Sequence, residues 1–234
     1  MLNSPARIIA ALLLMAAASP ALAQDVRYSW FEISFVGQDI DRNGSLSNIV
    51  LGQTVDVSGS DGNGIKFRGS VGTWKNLFAF VDYSSSDIDV GALVSNAQGQ
   101  FPAEDEFDFT SVRGGVGFKW SWTPKTDIYG ALSYDSTDFD LGSFAGENFD
   151  TDDQDVGVTL GIRSMFSDEI ELRAHARHTG VGDVDLNTGV FDADTLFGVG
   201  FGYELIRGLS ITGDYESGEF SNWNIGFRLD LDED

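Results

Sequence analysis

From Val26 onward, large apolar residues alternate with glycine or charge at every second position, and this pattern constrains the chain more than any other feature. Val112, Val116, Phe118, Trp120 and Trp122 fall on one face of such a segment; Arg113, Gly115, Gly117, Lys119 and Ser121 fall on the other. Val156, Val158, Leu160 and Ile162 separate in the same way from Gly157, Thr159, Gly161 and Arg163. So do Phe197, Val199, Phe201, Tyr203 and Leu205 from Gly198, Gly200, Gly202 and Glu204. A period of two is that of a β-strand, whose successive side chains point to opposite faces. A half-buried soluble strand would also alternate. The second face separates the two cases, because here it is rich in glycine and charge, whereas a wetted face is uniformly polar.

The chain opens with Arg7, a continuous apolar run from Ile8 to Ala18, and Ala21-Leu22-Ala23. A lone cation, a short apolar core and a small-x-small site form a secretory leader, expected to be cleaved after Ala23. The run falls short of the roughly 20 apolar residues a membrane helix needs. No later stretch is longer, so any membrane residence must use strands. The expected organisation is residues 1–23 as signal peptide and 24–234 as one all-β domain. The formal charge of −23 excludes a nucleic-acid partner, since a phosphate backbone needs Lys and Arg to displace its counterions. With no cysteine, a disulfide framework and a thiolate metal site are also excluded.

Three segments repeat one pattern: Leu77-x-Ala79-x-Val81-x-Tyr83, Ile128-x-Gly130-x-Leu132-x-Tyr134 and Leu209-x-Ile211-x-Gly213-x-Tyr215. Each runs on into serine and acid. Tyrosine at one height on an apolar band is what an aromatic girdle at a lipid headgroup boundary requires, and Trp120 and Trp122 suit the opposite girdle. Connections alternate in length. The short ones lie at Thr73–Asn76, Thr123–Thr126, Ser167–Glu169 and Ile206–Gly208. Long acidic loops are expected at about 38–63, 86–108, 137–153 and 179–194. Short turns inside and long loops outside are the arrangement of an outer-membrane barrel with both termini in the periplasm. About ten strands are expected, centred near Ile33, Arg68, Phe80, Gly115, Leu132, Leu160, Ala174, Gly200, Thr212 and Phe227. Eight is the alternative, with Ser47 to Ser58 left open as an extra loop hairpin.

The mature chain resembles the small bacterial outer-membrane β-barrel proteins, the porin-like and OmpA-barrel-like group, over nearly all its length. The most specific element is the last strand, Asn224-Ile225-Gly226-Phe227-Arg228-Leu229-Asp230-Leu231. It is similar to the family's assembly signal, with Gly226, Leu229 and Leu231 at its key positions. Such signals end in an aromatic residue; here Leu231 stands there and Asp232-Glu233-Asp234 follows. The resemblance implies an antiparallel up-and-down transmembrane barrel in a Gram-negative cell envelope. It also implies recognition by the barrel-assembly machinery, contact with lipid and lipopolysaccharide, and a monomer.

Alternation places charge of both signs inside such a barrel. The expected lumen network comprises Arg68, Asp82, Arg113, Lys119, Asp135, Arg163, Glu171, Arg173, Arg177, Glu204, Asp214 and Arg228, with Lys66, Glu216 and Asp230 beside it. Buried charges need partners, and a barrel this small has an interior that side chains can fill. Phe78, Phe80 and Tyr129 also point inward and narrow it further. His175 and His178 lie three positions apart, on opposite faces of a strand, and cannot share a metal. His175 with Asp214 or Asp135 gives only part of a hydrolase constellation, and no catalytic motif accompanies it. Asp39-x-Asp41-x-Asn43-Gly44 opens like a calcium loop, but its twelfth position is Val50, not Glu. An acidic turn is the plainer reading there, with divalent cations at the acidic loops as the other. No cofactor is expected. The leading expectation is a non-enzymatic barrel with a structural or surface-interaction role; a narrow solute channel, an outer-membrane hydrolase and a soluble sandwich are the alternatives.

Overall fold

The computed structural model describes residues 26–48, 53–74, 76–96, 99–144, 147–185, 190–218 and 220–231. They form ten strands: β1 (Trp30–Asn48), β2 (Gln53–Trp74), β3 (Leu77–Asn96), β4 (Gly99–Thr123), β5 (Thr126–Phe144), β6 (Glu147–Met165), β7 (Ile170–Asp185), β8 (Val190–Ile206), β9 (Leu209–Ser217) and β10 (Phe220–Asp230). Every neighbouring pair is antiparallel, and β1 closes on β10 with Trp30 opposite Asp230 and Ile40 opposite Phe220. Each expected strand centre lies in its own strand, so the barrel has ten strands and not eight.

One end of the barrel is made of tight turns. Thr123 pairs with Thr126 across Pro124-Lys125, and Ile206 with Leu209 across Arg207-Gly208. Gly208 has φ 82°, the left-handed conformation that glycine adopts without a Cβ penalty. A register shift precedes the turn in the β2–β3, β4–β5 and β8–β9 hairpins, bending the strand ends at the barrel rim.

The other end corrects the sequence reading. The segments expected as long loops are continued hairpins. β3 and β4 stay paired out to Asn96 opposite Gly99, and β5 and β6 to Phe144 opposite Glu147. Ser47 to Ser58 forms the distal part of the β1–β2 hairpin, with Asn48 opposite Gln53, and is no separate pair. Polarity had suggested loops. Yet runs such as Asp87-Ile88-Asp89-Val90 keep the period of two, and antiparallel pairing satisfies backbone groups that a loop leaves to water. Between β6 and β7 the ladder ends at Val158 opposite His178, so beyond that level those two hairpins are not zipped together.

Burial is inverted relative to a water-soluble domain. Trp120 and Trp122 are each 67% exposed and Leu160 64%, while Glu32, Glu171 and Arg228 are at 0%, 2% and 4%. Large exposed apolar faces of this extent are unstable in water, and a hydrocarbon surround removes the cost. One buried apolar cluster lies inside the turn end, where Val26, Tyr28, Phe78 and Ala131 pack with Phe80, Tyr129 and Met165, while Val36, Ile88, Val181 and Leu196 are buried toward the hairpin end.

Candidate functional site in the barrel lumen

Inward positions of all ten strands converge on a lumen filled by large side chains and paired ions. Size matching makes this possible, because Phe78, Phe80, Tyr129 and His175 each lie across a glycine of the next strand. A Cβ on Gly117 would sit 2.1 Å from the Phe78 ring, and one on Gly161 would sit 2.5 Å from Tyr129.

At the turn end, Arg163 donates to both Glu171 oxygens at 2.9 Å, and Arg228 reaches the same carboxylate at 3.1 Å. Arg228 and Arg27 meet Asp230 at 3.2 and 3.3 Å, and Arg27 lies 3.5 Å from Glu204. At mid-height Arg68 bridges Glu32 and Asp214, and Arg173 shares Asp214 at 2.9 Å. Arg113 pairs with Asp82. Toward the hairpin end, Arg177 holds Asp135 at 3.2 Å and Glu216 at 3.1 Å, and Thr179 donates to Asp135 at 2.7 Å.

Below this, the segment preceding β1 enters the lumen. The Tyr28 ring lies 4.9 Å from Phe78, with the Lys119 ammonium at 4.2 Å and the Arg163 guanidinium at 4.6 Å from its centre. Ser29 ties the segment to the wall, accepting from Leu231 N at 2.8 Å and from Gly72 N at 3.2 Å. Cavities among the described residues lie along the lumen, with about 240 Å³ beside Arg27, Glu204 and Asp230, about 120 Å³ among Trp30, Phe80 and Arg173, and about 100 Å³ among Lys66, Ser84 and Leu196.

All twelve charged residues proposed for the lumen thus face inward, and Lys119 meets an aromatic ring. Sequence reasoning missed Arg27, Glu32, Tyr28 and Trp30. Glu32 was legible, since it alternates with the outward Phe31 and Ile33 on β1. Tyr28 was not, because it precedes the strand and has no period to place it. His175 is inward and His178 outward, as their spacing requires, but His175 meets Glu216 at 3.0 Å and not Asp214 or Asp135.

The remaining proposed residues occupy other positions. Tyr134 and Tyr215 are outward and 55% and 47% exposed, and Tyr83 is outward and half-buried beside Phe67. Trp223, unremarked in the sequence, pairs across the ladder with Tyr215. Gly226 faces Ile33 O, where a Cβ would approach to 2.2 Å; Leu229 is outward, and Leu231 follows β10. Asp39, Asp41 and Asn43 lie along β1, and their side chains are outside the described residues. The leader also lies outside them. Among the described residues no three His, Asp or Glu side chains are grouped to hold a metal ion.

Greasy outside, ion-paired inside and closed upon itself, the fold needs a family to give it an address. Residues 9–204 match the model of the outer membrane protein beta-barrel domain. The chain belongs to this family. It is an outer-membrane protein whose strands cross the bilayer. Curated proteins yield no match. Among solved structures, this outer-membrane barrel is similar to the translocator domain of the autotransporter NalP from Neisseria meningitidis, at 16% identity and TM-score 0.46, covering 96% of this chain and 95% of that one. It is also similar to the beta domain of the Bordetella autotransporter BrkA, at 9% identity and TM-score 0.49, over 88% and 100%. OprG from Pseudomonas aeruginosa gives 12% identity and TM-score 0.43, over 88% and 98%. At these identities the likeness concerns fold alone.

Proposed function

We propose that this outer-membrane barrel is a non-enzymatic, monomeric surface protein with a closed lumen, displaying acidic hairpins for contact with divalent cations, lipopolysaccharide or host molecules. The occupied lumen supports this reading above all: ion pairs link strands as many as three apart at several heights, as Arg68 on β2 does with Asp214 on β9, and Tyr28 fills the turn end. The charge distribution points the same way. Residues 86–108 carry Asp87, Asp89, Glu104, Asp105, Glu106 and Asp108 and no Lys or Arg. In this reading the turn end and both termini face the periplasm, residues 1–23 are removed on export, and the assembly machinery reads Gly226, Leu229 and Leu231. Tyr83, Tyr134 and Tyr215 lie at one headgroup boundary and Trp120 and Trp122 at the other. Surface proteolysis of intact cells should cut only within the distal hairpins; cleavage at Pro124-Lys125 would reverse the orientation.

The aligned cavities favour a second reading, a narrow channel for small solutes. Planar-bilayer recording separates the two: a closed barrel gives no steps above leak, and reproducible unitary steps would replace the surface reading with the channel.

A further inference from the structure

The middle cavity, about 120 Å³, has a divided wall. Trp30, Phe78, Phe80 and Tyr129 make one part aromatic, while Arg68, Arg113, Arg163 and Arg173 make another part cationic. Only Asp82 and Asp214 stand on the same wall as carboxylates, and both are committed: Asp82 to Arg113, Asp214 to Arg68 and Arg173 together. Three buried donors on lining residues, Arg173 Nε–H, Trp30 Nε1–H and the Tyr28 hydroxyl, have no hydrogen-bond partner among the described residues.

We propose that this cavity binds a monocyclic aromatic carboxylate. At about 120 Å³ it is somewhat smaller than the apolar protein cavity of about 150 Å³ that takes up benzene, so it holds a single ring at most, with the carboxylate turned to the polar wall. Phe78 and Phe80 supply the ring's contacts, with centroids 6.2 Å apart. Arg68, Arg113 and Arg163 already spend their forks on Glu32, Asp82 and Glu171, so the carboxylate takes two of the donors left over, the charged Arg173 Nε–H and Trp30 Nε1–H. The chain already holds one aryl group this way: Tyr28, against Phe78, sits between Lys119 and Arg163. The site goes beyond the surface role proposed above and does not depend on whether the lumen conducts.

Calorimetric titration of the full chain, refolded in detergent, with sodium benzoate tests the site. A single saturable site is expected, with benzyl alcohol binding about ten-fold or more weaker because it lacks the charge-assisted bonds. Ala131 lines the cavity and Leu132 points to lipid. Ala131→Phe should therefore abolish binding, while Leu132→Phe, with a ring on the opposite face, leaves it unchanged. If Ala131→Phe loses heat-modifiable migration and so does not fold, Thr159→Leu, on the same wall, takes its place. Absence of saturable binding at millimolar benzoate overturns the proposal. So does equal affinity for benzyl alcohol, or undiminished binding when the cavity is filled.

Discussion

Glu171 is the most heavily shared residue in the lumen: Arg163, Arg228 and Arg173 stand 2.9, 3.1 and 3.8 Å from it. A buried ion pair returns little net stability, but breaking one leaves an uncompensated charge that costs about 3–5 kcal/mol. Glu171→Gln leaves Arg163 facing a neutral amide, while Arg228 and Arg173 keep Asp230 and Asp214, and should destabilise the barrel by that order, read as a lower urea midpoint of unfolding. Packing sets the second prediction at this scale. Gly117→Val drives a side chain into the Phe78 ring, and overpacking of this kind costs about 1–3 kcal/mol, read as a lower temperature of heat-modified migration. Outside the membrane, Lys125 Nζ lies 2.7 Å from Asp168 Oδ1, and this hydrogen bond and charge hold the Asp168 carboxyl below its ordinary value. A depressed folded value means that the contribution is present above the unfolded pKa and fades as pH falls through the folded one. NMR titration of Asp168 should show an acid-shifted midpoint that Lys125→Met returns to normal. Both groups are solvated, so global stability should barely respond.

Among the elements, the segment Val26–Ser29 is the least regular and the most consequential. Val26 and Tyr28 are 2% and 4% exposed although neither lies in a strand. Removing the Tyr28 ring takes away its contact with Phe78 and its position between two cations, each such cation–π contact being worth about 0.5–2 kcal/mol. The absence of cysteine makes the consequence easy to follow. A single Ala131→Cys thiol should react faster with a small thiosulfonate reagent when Tyr28→Ala is added; equal rates with and without the Tyr28 ring would show that the segment does not restrict access from this end. The distal hairpins pose the opposite problem. Their ladders are regular, yet acids face each other in register, as Asp87 faces Asp108 and Asp138 faces Asp152. Like charges directly opposite destabilise a pair, and salt screens them over a Debye length of about 10 Å at 0.1 M. Hydrogen exchange of residues 86–108 should therefore slow as salt or magnesium is raised, while that of the β9–β10 hairpin, whose inward charges are ion-paired, should not.

For the whole molecule, the sequence alone settled the architecture. Period-two alternation with a glycine-and-charge second face specified strands that reverse the usual inside and outside, and the spacing of short turns put their number at about ten with eight as the alternative, which the closed ladder decided. Alternation also assigned twelve charges to the lumen, because on a strand, position fixes direction. What it could not assign were partners. Arg68 on β2 reaches Glu32 on β1 and Asp214 on β9, and His175 finds Glu216 rather than Asp214, because contacts across a closed barrel depend on register and curvature. Nor could composition separate loop from ribbon at residues 86–108, since solvated strand and solvated loop use the same polar residues and only pairing tells them apart. Tyr28 shows the limit most plainly. A residue outside any periodic element has no direction until the barrel closes around it, and the closed barrel sets this tyrosine against Phe78 and between Lys119 and Arg163.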